Sequence, residues 1–306
     1  MNLIRIGTRG SKLALWQANH IAEKLLQGGW NTQIVTIDTR GDKVLDVSIA
    51  KIGSKGVFTE EIEEKLIEGV IDIAVHSAKD LQSDLGENFE IIAFTEREEP
   101  YDVLVSHGKI SPEDNLTIGT SSTRRIALLK HYYPHLKAVP VRGNLQTRMR
   151  KMEEGECDAL LLAWAGVFRM GYGEKVQYKM PLDEFVPPVG QGTIAVECAR
   201  EISPKIKQAV YELVNDLTTE FCLKAERAFL RHLEGGCSIP AFCHAQMAKE
   251  TIRIQGGVVS LDGKRMVKFN LDGPKEKAEE LGITLAKKIL DEGGREILEE
   301  VKKQQQ

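Results

Sequence analysis

No apolar run in this sequence approaches the ~20 residues that a bilayer-spanning helix requires, so no helical membrane span is expected. The first residues, Met1 to Trp16, lack a basic region followed by an apolar core and a small-residue cleavage site, which argues against a secretory leader. There is no G-x-x-x-x-G-K-[ST] loop and no G-x-G-x-x-G, which leaves nucleotide binding without its usual phosphate cradle. Cysteine is scarce: the five residues at 157, 198, 222, 237 and 243 are odd in number and form no C-x-x-C pair. A disulfide framework and a zinc knuckle are therefore disfavoured, a reducing cytoplasmic setting is expected, and no metal site is assigned. Aromatic residues make up only 6% of the chain, too few for a base-stacking surface to be the leading expectation.

What is present is an unevenly distributed charge. The net charge is −4, yet Gly119 to Lys151 holds eight Lys/Arg and no Asp or Glu. An acidic chain with such a basic stretch points to an anionic partner. The chain alternates β-rich runs with helical patterns, as parallel sheets with crossover helices do. Strands are expected at 3–7, 32–38, 71–76, 89–94, 116–120, 137–141, 158–163 and 192–199. Helices are expected at 12–27, 59–68, 122–131, 144–153, 164–170 and 218–233. Pro181, Pro187 and Pro188 mark a crossing, after which 192–199 returns to the first α/β unit. Beyond residue 250, "TIRIQ", "GVVSL" and "RMVKFNL" read as strands, with Asp262-Gly263 as a hairpin turn and helices at 275–291 and 294–303.

Polar residues gather where these strands end, the edge at which open parallel sheets bind ligands. Strand 3–7 runs into Thr8-Arg9-Gly10-Ser11, and strand 71–76 into His76-Ser77-Ala78-Lys79-Asp80. Strand 116–120 runs into Thr120-Ser121-Ser122-Thr123-Arg124-Arg125. Arg142 follows strand 137–141, Arg148 lies one turn into the next helix, and Arg169 closes the helix after 158–163. A Ser/Thr-rich helix start offers free backbone N–H groups and the positive end of the dipole. Arginines in that first turn oppose the dipole, so an anion explains their place. The ligand inferred is small and carries several carboxylates or phosphates. Asp80 is the acidic exception. It reads either as a cap or Lys79 partner, or as an ionised carboxylate serving a reaction that develops positive charge on a substrate nitrogen.

The stretch "LEGGCSIPAF" (233–242) presents Cys237 on a turn, after two glycines and three residues before Pro240. Geometry alone leaves both an inert, half-buried thiol and a presented, functional one open.

Taken in order, "GTRGSKLALWQA" (7–18), "TRGD" (39–42), "GSKGVF" (53–58), "DIAVHSAKD" (72–80), "GTSSTRR" (119–125), "RGNLQTR" (142–148), "LAWAG" (162–166), "VGQG" (189–192), "AER" (225–227) and "EGGC" (234–237) resemble the porphobilinogen deaminase (hydroxymethylbilane synthase) family nearly end to end. That resemblance implies an α/β fold: two α/β domains like periplasmic binding proteins of type II, plus a smaller α+β domain. The bounds implied are 1–96 with 193–214, then 97–192, then 215–306. It also implies a transferase that condenses four porphobilinogens head to tail with loss of ammonia, primed by a dipyrromethane cofactor joined through a thioether to Cys237. Asp80 would be the catalytic carboxylate. Lys79, Ser77, Thr120, Ser122, Arg124, Arg125 and Arg142 would hold the cofactor. Arg9, Ser11, Arg142, Arg148, Arg169 and Gln191 would hold substrate, and Lys51 and Lys55 would lie on a lid over 42–57. The product would pass to later tetrapyrrole enzymes, and a cytoplasmic monomer that binds neither nucleic acid nor membrane is expected.

The chain departs from the family pattern at Ser54, Ala78, Leu81-Gln82, Thr123, Ser238-Ile239, Phe242 and Cys243, and none of these removes a charge from the site. The alternatives are a family-derived anion- or tetrapyrrole-binding protein with reduced or no catalysis, a two-domain solute receptor, and a nucleic-acid binder using 119–151. The receptor leaves Asp80 and Cys237 unexplained.

Overall fold

The computed structural model describes residues 3–43, 59–233 and 239–305. The chain first builds β1 (Leu3–Arg9), α1 (Lys12–Gln27), β2 (Asn31–Ile37), α2 (Glu60–Ile67), β3 (Ile73–Ser77) and β4 (Phe89–Phe94). It continues through β5 (Asp102–Val105), β6 (Thr117–Gly119), α3 (Thr123–Tyr132), β7 (Lys137–Val139), α4 (Leu145–Glu153), β8 (Ala159–Ala163), α5 (Trp164–Arg169) and β9 (Val176–Lys179). Then come β10 (Ile194–Ala199), α6 (Pro204–Val214), α7 (Leu217–His232), β11 (Ala241–Ala248), β12 (Thr251–Val259), β13 (Met266–Pro274), α8 (Ala278–Ile289) and α9 (Arg295–Gln305). These elements form two compact units, 1–98 with 192–220 and 99–191 with 221–306.

The first unit is one five-stranded sheet in the order β2-β1-β3-β10-β4. β1 pairs in parallel with β2 and β3, and β10 lies antiparallel between β3 and β4. Ser11 caps α1, its Oγ accepting from the Ala14 N–H at 3.3 Å. Ala14, Ala18, Ile21, Ala22 and Leu25 then recur at helical spacing along a buried stripe. Ala18, Ile21, Ala22 and Leu25 share a core with Ile4, Ile6, Ile73 and Val75 of the sheet, and with Val210 and Val214 of α6. The opposite face is covered by α2, whose Ile62 and Leu66 pack with Ile37, Ile71 and Ala74.

The second unit carries a five-stranded sheet of matching design, β7-β6-β8-β5-β9, with β5 antiparallel to both neighbours. In each large sheet the antiparallel strand is the first strand after the chain crosses between units: β5 on the way out and β10 on the return. A three-stranded antiparallel sheet, β11-β12-β13, completes this unit with α7, α8 and α9. The fold is thus α/β in its two large sheets and α+β at the C-terminal end, as expected.

Several elements escaped the sequence pattern. β5, β9, β11 and α6 were not anticipated, and "TIRIQ" and "GVVSL" prove to be one strand, β12. Gly256 and Gly257 look like a break but sit mid-strand because aromatic side chains fill the space beside them. A Cβ on Gly256 would stand 3.1 Å from Phe229 Cζ. One on Gly257 would stand 2.6 Å from Phe242 Cζ and collide with the Val267 carbonyl. Gly257→Ala is therefore expected to destabilise the protein by about 1–3 kcal/mol, measured as a lower urea midpoint with an unchanged slope.

Candidate active site

In the first unit the C-terminal ends of β1 and β3 open onto a cavity of about 70 Å³ lined by Arg9, Ser11, Gln17, Thr59, His76, Ser77 and Asp80, with Leu13, Ala14 and Val75. The local sequence explains the arrangement. β3 ends at Ser77, and a single tight turn, Ala78–Asp80, follows it. Ala78 and Leu81 are buried, each about 3% exposed, and the Ala78 N–H donates to the Thr193 carbonyl at 2.9 Å. These anchors fix the turn while Lys79 and Asp80 remain half-buried.

Gln17 reinforces this geometry from the apolar stripe of α1. It is 3% exposed, and its Nε2 donates to Ser77 Oγ at 2.9 Å, tying helix to strand end. Sequence reasoning quoted Gln17 within a motif but assigned it no role; a lone amide on an otherwise apolar helix face was the available signal. Of the expected residues, Arg9, Ser11, Ser77 and Asp80 thus meet around one cavity. Asp80 is the only acidic group among its described lining residues.

In the second unit a buried carboxylate organises the basic residues. Asp102, fully buried at the start of β5, accepts from Arg124 Nη2 at 2.6 Å and from Arg125 Nε and Nη2 at 3.1 and 2.7 Å. Arg124 Nη1 also donates to the Val186 carbonyl and Arg125 Nη1 to the Leu161 carbonyl, both at 2.9 Å. Gln191, 1% exposed, donates to Asp102 at 3.0 Å and to the Pro100 carbonyl at 2.7 Å. Burial alone would raise the Asp102 carboxyl, but the two guanidinium charges, with hydrogen bonds from Arg125 and Gln191, hold it well below the usual carboxylate range. Asp102 itself was missed. The sequence showed only an acidic residue before a short apolar run.

Around this cluster, Ser122 caps α3 by accepting from the Arg125 N–H at 3.5 Å, and Thr120 is buried with its N–H on the Val139 carbonyl. Gly143 takes φ +111, a left-handed conformation, and its carbonyl accepts from Arg148 Nε at 2.7 Å. Arg142, Arg148 and Arg169 are half-buried. Glu226, within the "AER" motif and fully buried, accepts from the Gly190 N–H at 2.8 Å and the Ala245 N–H at 2.7 Å, which fixes the "VGQG" turn. Cys243 is fully buried in the C-terminal core, so it is not a presented thiol. Cys237, Lys51, Lys55 and most of the expected lid lie outside the described residues.

Two family models match the chain: "Porphobilinogen deaminase, dipyromethane cofactor binding domain" over residues 4–207, and "Porphobilinogen deaminase, C-terminal domain" over residues 220–291. The chain belongs to the porphobilinogen deaminase family. A porphobilinogen deaminase from Desulfosudis oleivorans is 53% identical over 99% of this chain and 99% of its own length. One from Cytophaga hutchinsonii is 54% identical over 98% of this chain and 97% of its own length. Among solved structures, a methionine binding protein, MetQ, aligns with TM-score 0.45 and 12% identity over 69% of this chain and 89% of its own.

The residues present fit the dipyrromethane group of this deaminase family. Among the described residues, the buried guanidinium groups of Arg124 and Arg125 share one carboxylate, Asp102, so this cluster carries one more positive than negative charge. A group bearing carboxylates is complementary to a cluster of that sign.

Proposed function

We infer that this chain condenses four porphobilinogen molecules head to tail, with loss of ammonia, to give hydroxymethylbilane for tetrapyrrole biosynthesis. Its membership of the porphobilinogen deaminase family supports this directly. The observation that carries the assignment of the chemistry is Asp80, the one carboxylate among the described lining residues of a cavity whose other polar groups are cationic, hydroxyl, amide and imidazole.

Asp80 is the catalytic residue in this reading. Loss of ammonia from the aminomethyl group leaves positive charge shared with the pyrrole nitrogen, and a fixed carboxylate nearby lowers the energy of that cation. Arg9 and the start of α1 at Ser11 bind the acetate and propionate of the reacting ring. The hydrogen bond that the Gln17 amide donates to Ser77 holds the strand end so that Asp80 does not reorganise during the step.

The dipyrromethane group, when bound through Cys237, supplies the primer for chain growth. Arg124, Arg125, Arg142, Thr120, Ser122, Ser77 and Lys79 hold its carboxylates, and Arg148, Arg169 and Gln191 serve the added rings. Gln191 and the Arg124–Arg125 pair act partly through Asp102, which orients them. Lys51 and Lys55 belong to the lid in this reading. We read the chain as three domains, 1–96 with 193–214, 97–192 and 215–306, because each contains one sheet. The last two share a core through Phe242 and Val259, which is why they group as one compact unit. The enzyme is a cytoplasmic monomer handing its product to later tetrapyrrole enzymes. Among the described residues, Cys157 and Cys198 are buried free thiols, which supports a reducing setting.

Intact mass of the purified protein tests the tether. A mass greater than the bare chain by two pyrrole units is expected, with the adduct mapping to the peptide holding Cys237 and not to that holding Cys243. A mass equal to the bare chain, from cells that make porphobilinogen, refutes the tether.

A further inference from the structure

Beneath the Asp80 cavity lies an ionisable pair that the reading above leaves without a task. His76 of β3 and Glu197 of β10 point to the α2 face of the sheet, with side chains 4% and 0% exposed. Nε2 of His76 stands 3.1 Å from Oε2 of Glu197, yet the ring is turned so that neither side chain gains an aligned hydrogen bond at these atoms. A fully buried carboxylate without such a bond is costly, and its cost calls for an explanation. Glu63 of α2 adds to the cluster. Burial, and less strongly the field of Glu197, push its carboxyl above the ordinary value, while the Thr59 hydroxyl and, after it, His76 oppose the shift. Among the described residues, the charged groups that face His76 are Glu197 from β10, Glu63 from α2 through its field, and Arg9 and Asp80 on the cavity that His76 itself lines.

The condensation needs a base that the catalytic carboxylate cannot supply without cost. In each coupling the C–N bond of the incoming aminomethyl group breaks and its electron pair leaves with ammonia. The α-carbon of the accepting pyrrole forms a C–C bond to the freed methylene. Its C–H bond must then break, with the electron pair returning to the ring and the proton passing to an acceptor. If Asp80 took that proton, it would lose the charge that steadies the cation. Arg9 has no acceptor atom, Gln17 is an amide, and the hydroxyls of Ser11, Ser77 and Thr59 are weak bases. His76 is the remaining basic group among the lining residues.

We propose that His76, oriented by Glu197, receives the proton released from the pyrrole α-carbon in each coupling. The arrangement is that of an imidazole base backed by a carboxylate, in which the buried anion balances the imidazolium as it forms. Glu197 is a positioning residue, and its missing hydrogen bond is made when the ring turns to take the proton. The proposal rests on placing the reaction at the Asp80 cavity.

The test compares wild type, His76→Asn, Glu197→Gln and Asp80→Ala as holoenzymes whose cofactor content is verified by intact mass. Turnover is measured with porphobilinogen and with substrate deuterated at its unsubstituted α-carbon. His76→Asn is expected to lower kcat by about 10²-fold with little change in KM. It should also enlarge the deuterium isotope effect, because breaking the C–H bond becomes slow. Glu197→Gln should do the same to a smaller degree, and should move the His76 ring resonances in histidine NMR of the resting holoenzyme. Should His76→Asn fail to fold, the isotope effect and NMR shift in Glu197→Gln decide the matter alone. Wild-type turnover in His76→Asn, or slower turnover with no gain in isotope effect, overturns the proposal and leaves released ammonia or water as the acceptor. If Asp80→Ala collapses turnover while His76→Asn does not, only this proposal falls. If neither matters, the placement of the reaction falls with it.

Discussion

Asp80→Ala is expected to retain the fold and the covalent cofactor while losing about 10²–10³-fold in kcat, the scale set by removing one preorganised electrostatic group from an active site. The structure makes retention of the fold a firm expectation. Asp80 is half-buried at the end of a three-residue turn whose anchors are Ala78, Leu81 and the bond to the Thr193 carbonyl, none of which involves the carboxylate. The loss should fall on kcat more than on KM, because Arg9 and Ser11 still bind the substrate carboxylates and only the developing cation loses its partner. Asp80→Asn separates charge from shape: it keeps the volume and one acceptor oxygen, so a loss close to that of alanine assigns the effect to charge. Steady-state kinetics with mass-verified holoenzyme is the measurement, and near-normal kcat in Asp80→Ala would remove Asp80 from the chemistry.

Much of this site could be read from the sequence because strand ends obey a simple rule. Arg9, Ser11, Ser77 and Asp80 stand where β1 and β3 stop, and the topology brings parallel strand ends to one edge. What could not be read were residues whose role depends on a partner far along the chain. Asp102 meets Arg124 and Arg125 only because β5 lies antiparallel against β8, a pairing that four residues of apolar sequence do not announce. Glu197 lies within the expected strand 192–199, but only the register, which pairs it with Ala74, places it on the same face as His76. Ser122 and Thr123 of "GTSSTRR" were expected at a helix start and are found there, as its cap and its first residue. The two arginines that seemed to await only an external anion already share an internal one. Gly256 and Gly257 misled for a related reason, since the rings that fill their space come from α7 and β11.

Asp102→Ala has the largest expected effect on stability. It would remove the Asp102 counter-charge from two guanidinium groups, 4% and 6% exposed, and leave Gln191 with one acceptor fewer. Breaking a buried pair by removing one partner costs about 3–5 kcal/mol, mostly through the uncompensated charge left behind. Urea denaturation at neutral pH should show this as a lowered midpoint, and cofactor loading should fall because Arg124 and Arg125 lose their orientation. Asp102→Asn, which preserves shape and one acceptor oxygen, should lie between wild type and alanine. The pH dependence carries a definite sign. The Asp102 carboxyl is held below its unfolded value, so the unfolded chain binds the proton more readily. Its contribution is complete above the ordinary carboxylate range and is lost as the pH falls through that range towards the lower folded value. Wild-type stability should therefore decline on acidification in part through this group, and Asp102→Asn should show a shallower decline over the same window. A variant series with parallel acid limbs, or an Asp102→Ala protein as stable as wild type, would mean that the arginines do not depend on Asp102 for their charge balance.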